Sequence, residues 1–142
     1  MVKSVLHVAV YCRDVERSAD FYTRVLGMKH LFTEKKDGGS LWYVYLYAGG
    51  GTFLELFPLD GGGEPPDEAA PGITHICLGV DDIEEAVRKV KDEGWPLDAE
   101  PRLGRDGNRQ AWIRDPDGVR IELMQMMPGC MQYRALEEKG LE

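Results

Sequence analysis

Two histidines and two glutamates carry the chemistry that can be read from this chain. His7 and His75 each stand near the start of an apolar run, LHVAVY and THICLGV, and Glu55 and Glu122 each stand late in another, TFLELF and VRIELM. Imidazole nitrogen and carboxylate oxygen are the donors of borderline-to-hard divalent ions, and two neutral imidazoles with two carboxylates nearly neutralise a 2+ charge. Ni(II), Zn(II), Co(II), Mn(II) and Fe(II) all suit such a set. Four protein ligands leave two places on an octahedral ion, enough for waters or two adjacent substrate oxygens. Taken singly, a histidine in a strand is more often structural and a glutamate more often solvated. Their order, His, Glu, His, Glu, raises the weight of the set. A carboxylate beside Phe53 and Phe57 would also cost several kcal/mol if buried without a partner.

The elements that must position these residues repeat. His7 and His75 lie 68 residues apart, Gly27 and Gly94 lie 67 apart, and Glu55 and Glu122 lie 67 apart. Such a fixed offset marks duplication. Each half reads as strand, helix and three strands. In the first, Val5 to Tyr11 alternates as a strand, and Asp14 caps a helix through Val15, Ala19, Tyr22, Val25 and Leu26 that Gly27 closes. Strands at Lys29–Thr33, Leu41–Ala48 and Thr52–Phe57 follow. Residues 58–72, rich in proline, glycine and acids, read as a connector. The second half restarts with a strand at Thr74–Val80 and a helix capped by Asp82 with Glu85, its apolar stripe Ile83, Ala86, Val87 and Val90 ending at Gly94. A strand near Leu97, another at Gln110–Arg114, the turn Asp115-Pro116-Asp117-Gly118 and a strand at Val119–Met124 complete it. The tail adds a short helix.

The reading is therefore an α+β protein of tandem βαβββ modules forming a curved mixed sheet: residues 1–58, a linker at 59–72, residues 73–127, and a C-terminal tail at 128–142, with both modules in one domain. Strand alternation puts each of the four residues opposite the most aliphatic side chains of its run, Leu54 and Leu56 in one case, Ile121 and Leu123 in another. Glu55 shares its face with Phe53 and Phe57, and Glu122 with Arg120 and Met124. His75, Cys77 and Gly79 share theirs.

Bulk properties narrow the rest. The 142 residues are 43% hydrophobic and 30% charged, with net charge −8 and pI about 4.9. An acidic chain without clustered Lys and Arg is a poor nucleic-acid partner. No apolar run reaches the roughly 20 residues that span a bilayer, so no membrane partner is expected. Cys12, Cys77 and Cys130 lack CxxC spacing and are odd in number, which suits buried thiols in a reducing cytoplasm. His30, without a counterpart in the repeat, is expected to be exposed. Tyr43, Tyr45 and Tyr47 share a strand face and are expected to pack, or in one case to line the site.

At four stretches the chain resembles the vicinal oxygen chelate superfamily, whose members include glyoxalase I (lactoylglutathione lyase), bleomycin-resistance proteins and dioxygenases. They are His7 with Asp14-x-x-Arg17-Ser18-x-x-Phe21-Tyr22-x-x-Val25-Leu26-Gly27-Met28; Leu54-Glu55-Leu56; Gly72-Ile73-Thr74-His75-Ile76; and Asp115-Pro116-Asp117-Gly118-x-x-Ile121-Glu122-Leu123. The resemblance implies the superfamily's fold and a metal set of His7, Glu55, His75 and Glu122, with nickel or zinc first and cobalt, manganese or iron open. It implies conversion of a hemithioacetal of a 2-oxoaldehyde to a 2-hydroxyacyl thioester through a metal-stabilised enediolate, with Glu55 or Glu122 as base. It also implies a homodimer acting on a small molecule, each site built from the first pair of one chain and the second pair of the other; the connector at 58–72 is long enough for that swap or for pairing within one chain. A metal-dependent extradiol dioxygenase or epimerase, or a non-enzymatic ligand-sequestering module, is the alternative. Two positions depart from members that bind glutathione: Tyr11 stands where they carry arginine, and no asparagine follows Glu55. Arg13, Arg102, Arg105 and Arg109 are the candidates to replace those anchors.

Overall fold

A computed structural model describes residues 2–61, 64 and 71–141. The chain divides into two compact units, Met1–Pro66 with Asp115–Gly118, and Asp67–Arg114 with Val119–Glu142. Each holds a four-stranded mixed sheet and helices, an α+β construction. Most of the expected linker, 59–72, lies outside the described residues.

In the first unit β1 (His7–Cys12), β2 (Lys29–Lys35), β3 (Leu41–Gly49) and β4 (Thr52–Pro58) form a sheet ordered β1-β4-β3-β2. β1 runs parallel to β4, while β4–β3 and β3–β2 are antiparallel. Val44, Leu46, Leu54 and Leu56 are buried, together with Val15, Phe21, Tyr22 and Val25 of the helical segment that follows β1. That segment differs from the regular helix expected at this place. Asp14 accepts from the Arg17 amide and starts α1 (Val15–Asp20), but Phe21–Val25 then winds as a π-turn, with the Leu26 amide reaching back to the Phe21 carbonyl. The wider turn lets the adjacent Phe21 and Tyr22, each 1% exposed, both enter the core. Gly27, at φ 76°, ends the segment in the left-handed region.

The Asp115–Gly118 turn completes this unit. The buried Tyr22 hydroxyl donates to Asp115 Oδ2 at 2.9 Å, and Ser18 Oγ and the Arg13 amide donate to Asp117, both at 3.2 Å.

The second unit repeats the order: β5 (Ile76–Gly79), α2 (Ile83–Asp92), β6 (Ala99–Leu103), β7 (Arg109–Arg114) and β8 (Arg120–Gln125), arranged β5-β8-β7-β6 with the parallel pair again first. Asp82 caps α2 by accepting from the Glu85 amide, and Ile83, Val87 and Val90 bury its apolar stripe with Ala111, Ile113, Ile121 and Leu123. The strand expected near Leu97 begins at Ala99. Trp95 Nε1 donates to the Arg114 carbonyl and the Asp98 amide to the Trp112 carbonyl, so residues 95–98 are held as a connection rather than a strand. The tail forms α3 (Met131–Lys139). Fully buried Asn108 ties it to the β6–β7 turn, donating to Asp106 and Gln132 and accepting from the Met127 amide.

Candidate metal centre

The parallel strand pair positions one histidine and one glutamate in each unit, and does so identically. In the first sheet Ala9 is level with Glu55; in the second Cys77 is level with Glu122. Each histidine therefore precedes by two residues the position level with its glutamate, on the same face. From there His7 Nε2 lies 3.5 Å from Glu55 Oε2, and His75 Nε2 lies 3.3 Å from Glu122 Oε2. The pairing does not need contiguous strand: β5 starts at Ile76, so His75 stands just before it.

The donor chemistry fits a metal ion. Bonds of about 2.1 Å to an imidazole nitrogen and a carboxylate oxygen, at angles between square and tetrahedral, put the two atoms roughly 3.0–3.4 Å apart. A charge-assisted hydrogen bond is shorter, about 2.7–2.9 Å. His75 Nδ1 lies 2.8 Å from Thr74 Oγ1. An Nδ1–H donated to that hydroxyl leaves the Nε2 lone pair for a cation, the tautomer a ligating histidine uses. Thr74 adjoins His75 in the sequence, the signal by which this support can be found. Among the described residues no three His, Cys, Asp or Glu side chains gather closely enough to hold an ion; His7 meets Glu55, and His75 meets Glu122.

Glu122 is 6% exposed, set between Ile121 and Leu123, both buried. The Glu55 side chain is 17% exposed. Cys77, expected as a buried thiol, is exposed, because Gly79 and the end of the short β5 leave its side uncovered; Cys12 and Cys130 are buried as expected. Partial burial, and then Glu122, push the Cys77 thiol up to about 11, so it faces that carboxylate as a protonated donor.

The surroundings of the two pairs differ. Around Glu55 the face runs in rows of ladder partners: His7–Phe53–Tyr47, Ala9–Glu55–Tyr45–Phe32, and Tyr11–Phe57, with Tyr43 against Phe57. Phe32 stacks on Tyr45 at 4.9 Å and 6°, and Tyr45 meets both Phe53 and His7. These tyrosines line the site face rather than filling the core. Around Glu122 the rows are Cys77–Glu122–Trp112–Ala99 and Gly79–Met124–Gln110–Arg102. His75 meets Trp112 edge-on at 5.0 Å, and the Arg120 guanidinium lies over the same ring at 4.5 Å. Of the arginines considered as anchors, Arg13 bonds to Asp117 and Arg109 to Glu84, while Arg102 and Arg105 are exposed. His30 is exposed beside Thr33.

Residues 4–123 match the Glyoxalase/Bleomycin resistance protein/Dioxygenase superfamily. The chain belongs to that superfamily. It is 33% identical to the probable lactoylglutathione lyase of Synechocystis sp. (strain ATCC 27184 / PCC 6803 / Kazusa), over 85% of this chain and 94% of the relative. It is also 33% identical to the lactoylglutathione lyase of Escherichia coli O157:H7, over 85% and 91%. A solved member of the glyoxalase/bleomycin resistance protein/dioxygenase superfamily, from Sphaerobacter thermophilus DSM 20745, superposes with a TM-score of 0.71 at 26% identity, covering 88% of this chain and 98% of that one. The glyoxalase-superfamily assignment covers both βαβββ repeats. No helix among the described residues is long and apolar enough to cross a membrane.

Proposed function

We propose that this protein is a divalent-metal-dependent lyase of the glyoxalase I kind, isomerising the hemithioacetal of a 2-oxoaldehyde to a 2-hydroxyacyl thioester. The observation that carries the proposal is the repeated pair: His7 with Glu55 and His75 with Glu122, in one register, at 3.5 and 3.3 Å. Together they make the four-ligand set; nickel or zinc is the ion proposed, with cobalt, manganese or iron next. When bound, the ion would hold two adjacent substrate oxygens and stabilise the negative charge developing on them.

The chain's own residues supply the rest. The reaction moves one proton from the carbon bearing sulfur to its neighbour, and the electrons rearrange within the substrate, so no external oxidant is needed. One carboxylate, Glu55 or Glu122, would leave the ion to take that proton and return it. Trp112, level with Glu122, and the rings around Glu55 would limit water at the transfer. Each repeat supplies two ligands, and the homodimer proposed here would set the first pair of one copy opposite the second pair of its partner. Lactoylglutathione lyase relatives at 33% identity support the reaction class.

The test is elemental analysis of the purified protein, followed by assay of methylglyoxal hemithioacetals made with glutathione and with other thiols. Bound metal in near-stoichiometric amount and thioester formation with at least one thiol are expected. A metal-loaded protein inert with every thiol overturns the proposal.

A further inference from the structure

We propose that the open face of the first sheet is the specificity wall of this site and takes an uncharged aromatic group carried by the substrate. This rests on the lyase reading above and names the substrate class that reading leaves open.

Tyr43, Tyr45, Phe53 and Phe57 surround Glu55 with their rings in mutual contact: Tyr45 to Phe53 at 5.4 Å, Tyr43 to Phe57 at 5.3 Å, and Phe32 stacked behind Tyr45. Ala9, level with Glu55 and exposed, presents only a methyl group between His7 and Tyr11, small enough for a flat group to lie over it beside the carboxylate. A face of interlocked rings, continuous with a metal-ligand pair, favours a planar apolar group by offset or edge contact.

Charge decides against the other occupants. The ladder rows of this face hold two lysines, Lys29 opposite Tyr47 and Lys35 opposite Leu41, and one further acid, Glu34 opposite Tyr43; all three are on the edge strand β2, not beside Glu55. Apart from the proposed ion, a carboxylate-bearing group on this face would meet Glu55 and Glu34, with lysines only on the edge strand, on a chain of net charge −8. The repeat gives an internal contrast. At the positions of Phe53, Tyr47 and Tyr43 the second sheet carries Arg120, Arg114 and Gln110, so the scaffold accommodates cationic and polar residues at these positions and the first sheet lacks them. A cationic aromatic is disfavoured as well, since it would share the face with the ion that His7 and Glu55 help to hold.

The experiment reads binding first, without metal. The full chain, ¹⁵N-labelled and metal-free, is titrated with benzyl methyl sulfide, with S-methylglutathione and with benzyltrimethylammonium. Saturable shifts confined to amides of β1, β3 and β4 are expected with the sulfide alone. Tyr45→Leu and Phe57→Leu should each weaken its binding by about fivefold, the worth of one aromatic pair. Tyr133→Leu, an exposed ring on α3 in the second unit, should not; Tyr43→Leu serves if either of the first two fails to fold. Stronger binding of S-methylglutathione or of the ammonium overturns the proposal. So do shifts of these amides that depend on protein concentration alone, which would show a second copy covering the face. The metal-loaded enzyme should then prefer the phenylglyoxal adduct of an uncharged thiol to the methylglyoxal adduct of glutathione. Sulfide binding as described, with every hemithioacetal inert, would leave the wall standing and remove the lyase reading; turnover without sulfide binding would do the reverse.

Discussion

Glu122 lies between two buried aliphatic neighbours in the chain and its side chain keeps 8% of its surface, whereas that of Glu55 keeps 17%. A buried carboxylate with an imidazole at 3.3 Å gains more from a cation than a wetter one does, because the local dielectric is lower. Glu122→Gln should therefore release metal on dialysis more completely than Glu55→Gln. Both should lose about 10²–10⁴-fold in turnover, the range of a general base. A glutamine variant that retains both metal and rate removes that residue from the site. The buried thiol of Cys12 makes a separate claim. Burial first, opposed by a hydrogen bond with Ser18 and reinforced by Asp117, raises it from 9.0 to about 11. The folded state thus holds this proton more tightly than the unfolded one. Its stabilising contribution is whole below pH 9.0 and is lost as pH rises through about 11. Denaturant midpoints should fall across that window, and Cys12→Ala should flatten the fall. A slope unchanged by the substitution would assign the alkaline loss elsewhere, with Tyr22, raised well above 10.0 by burial, the next group to test.

At the scale of elements, the Asp115-Pro116-Asp117-Gly118 turn belongs by its contacts with the first unit although the chain reaches it from β7. The Tyr22 hydroxyl is what α1 and its π-turn extend to it, at 2.9 Å and buried. Tyr22→Phe deletes that donor to Asp115, itself 5% exposed. A loss of about 1–3 kcal/mol in unfolding free energy is expected by chemical denaturation; a loss within 0.5 kcal/mol, the range of ordinary surface changes, would mean that the turn's other contacts, those of Arg13 and Ser18 among them, hold it. Such a bond is invisible in the sequence, since it joins residues 93 apart. What the sequence shows is local: the caps at Asp14 and Asp82, the glycines at 27 and 94, and the alternation that sends Leu54 and Leu56 inward and Glu55 outward. The π-turn escapes such a reading because apolar spacing barely separates it from an α-helix until Phe21 and Tyr22 must both be buried. The start of β6 escapes it because an edge strand of sequence AEPRL, with Pro101 and a register shift between Ala99 and Arg102, carries little alternation. The pairing of His7 with Glu55 and of His75 with Glu122 is legible for the opposite reason: offsets of 68 residues between the histidines and 67 between the glutamates set equivalent strand positions, and strand geometry does the rest. The aromatic wall is only half legible, since Tyr43, Tyr45 and Tyr47 alternate visibly but only the β3–β4 register brings Tyr45 level with Glu55.

At the scale of the whole molecule, two ligands per repeat pose a question of assembly. A twofold dimer has one self-complementary contact, so if sites form across it, each joins the first pair of one chain to the second pair of the other. Two inactive variants can decide this. One carries His7→Ala with Glu55→Ala, the other His75→Ala with Glu122→Ala. Mixed after unfolding and refolding together, the proposed cross-chain arrangement gives each heterodimer one site with all four ligands and one with none. Random pairing makes half the dimers mixed, so about a quarter of the wild-type activity and metal content should return. Sites formed within single chains cannot be repaired this way, because every chain in the mixture lacks one of its own pairs. Recovery near a quarter therefore supports the dimeric centre, and a mixture as inactive as its components, with heterodimers verified by native mass spectrometry, excludes it while leaving the in-chain site open. The four substitutions fall on the site face of the sheets, away from the buried Leu54, Leu56, Ile121 and Leu123. Each variant is thus expected to keep the fold by which its surviving pair is presented.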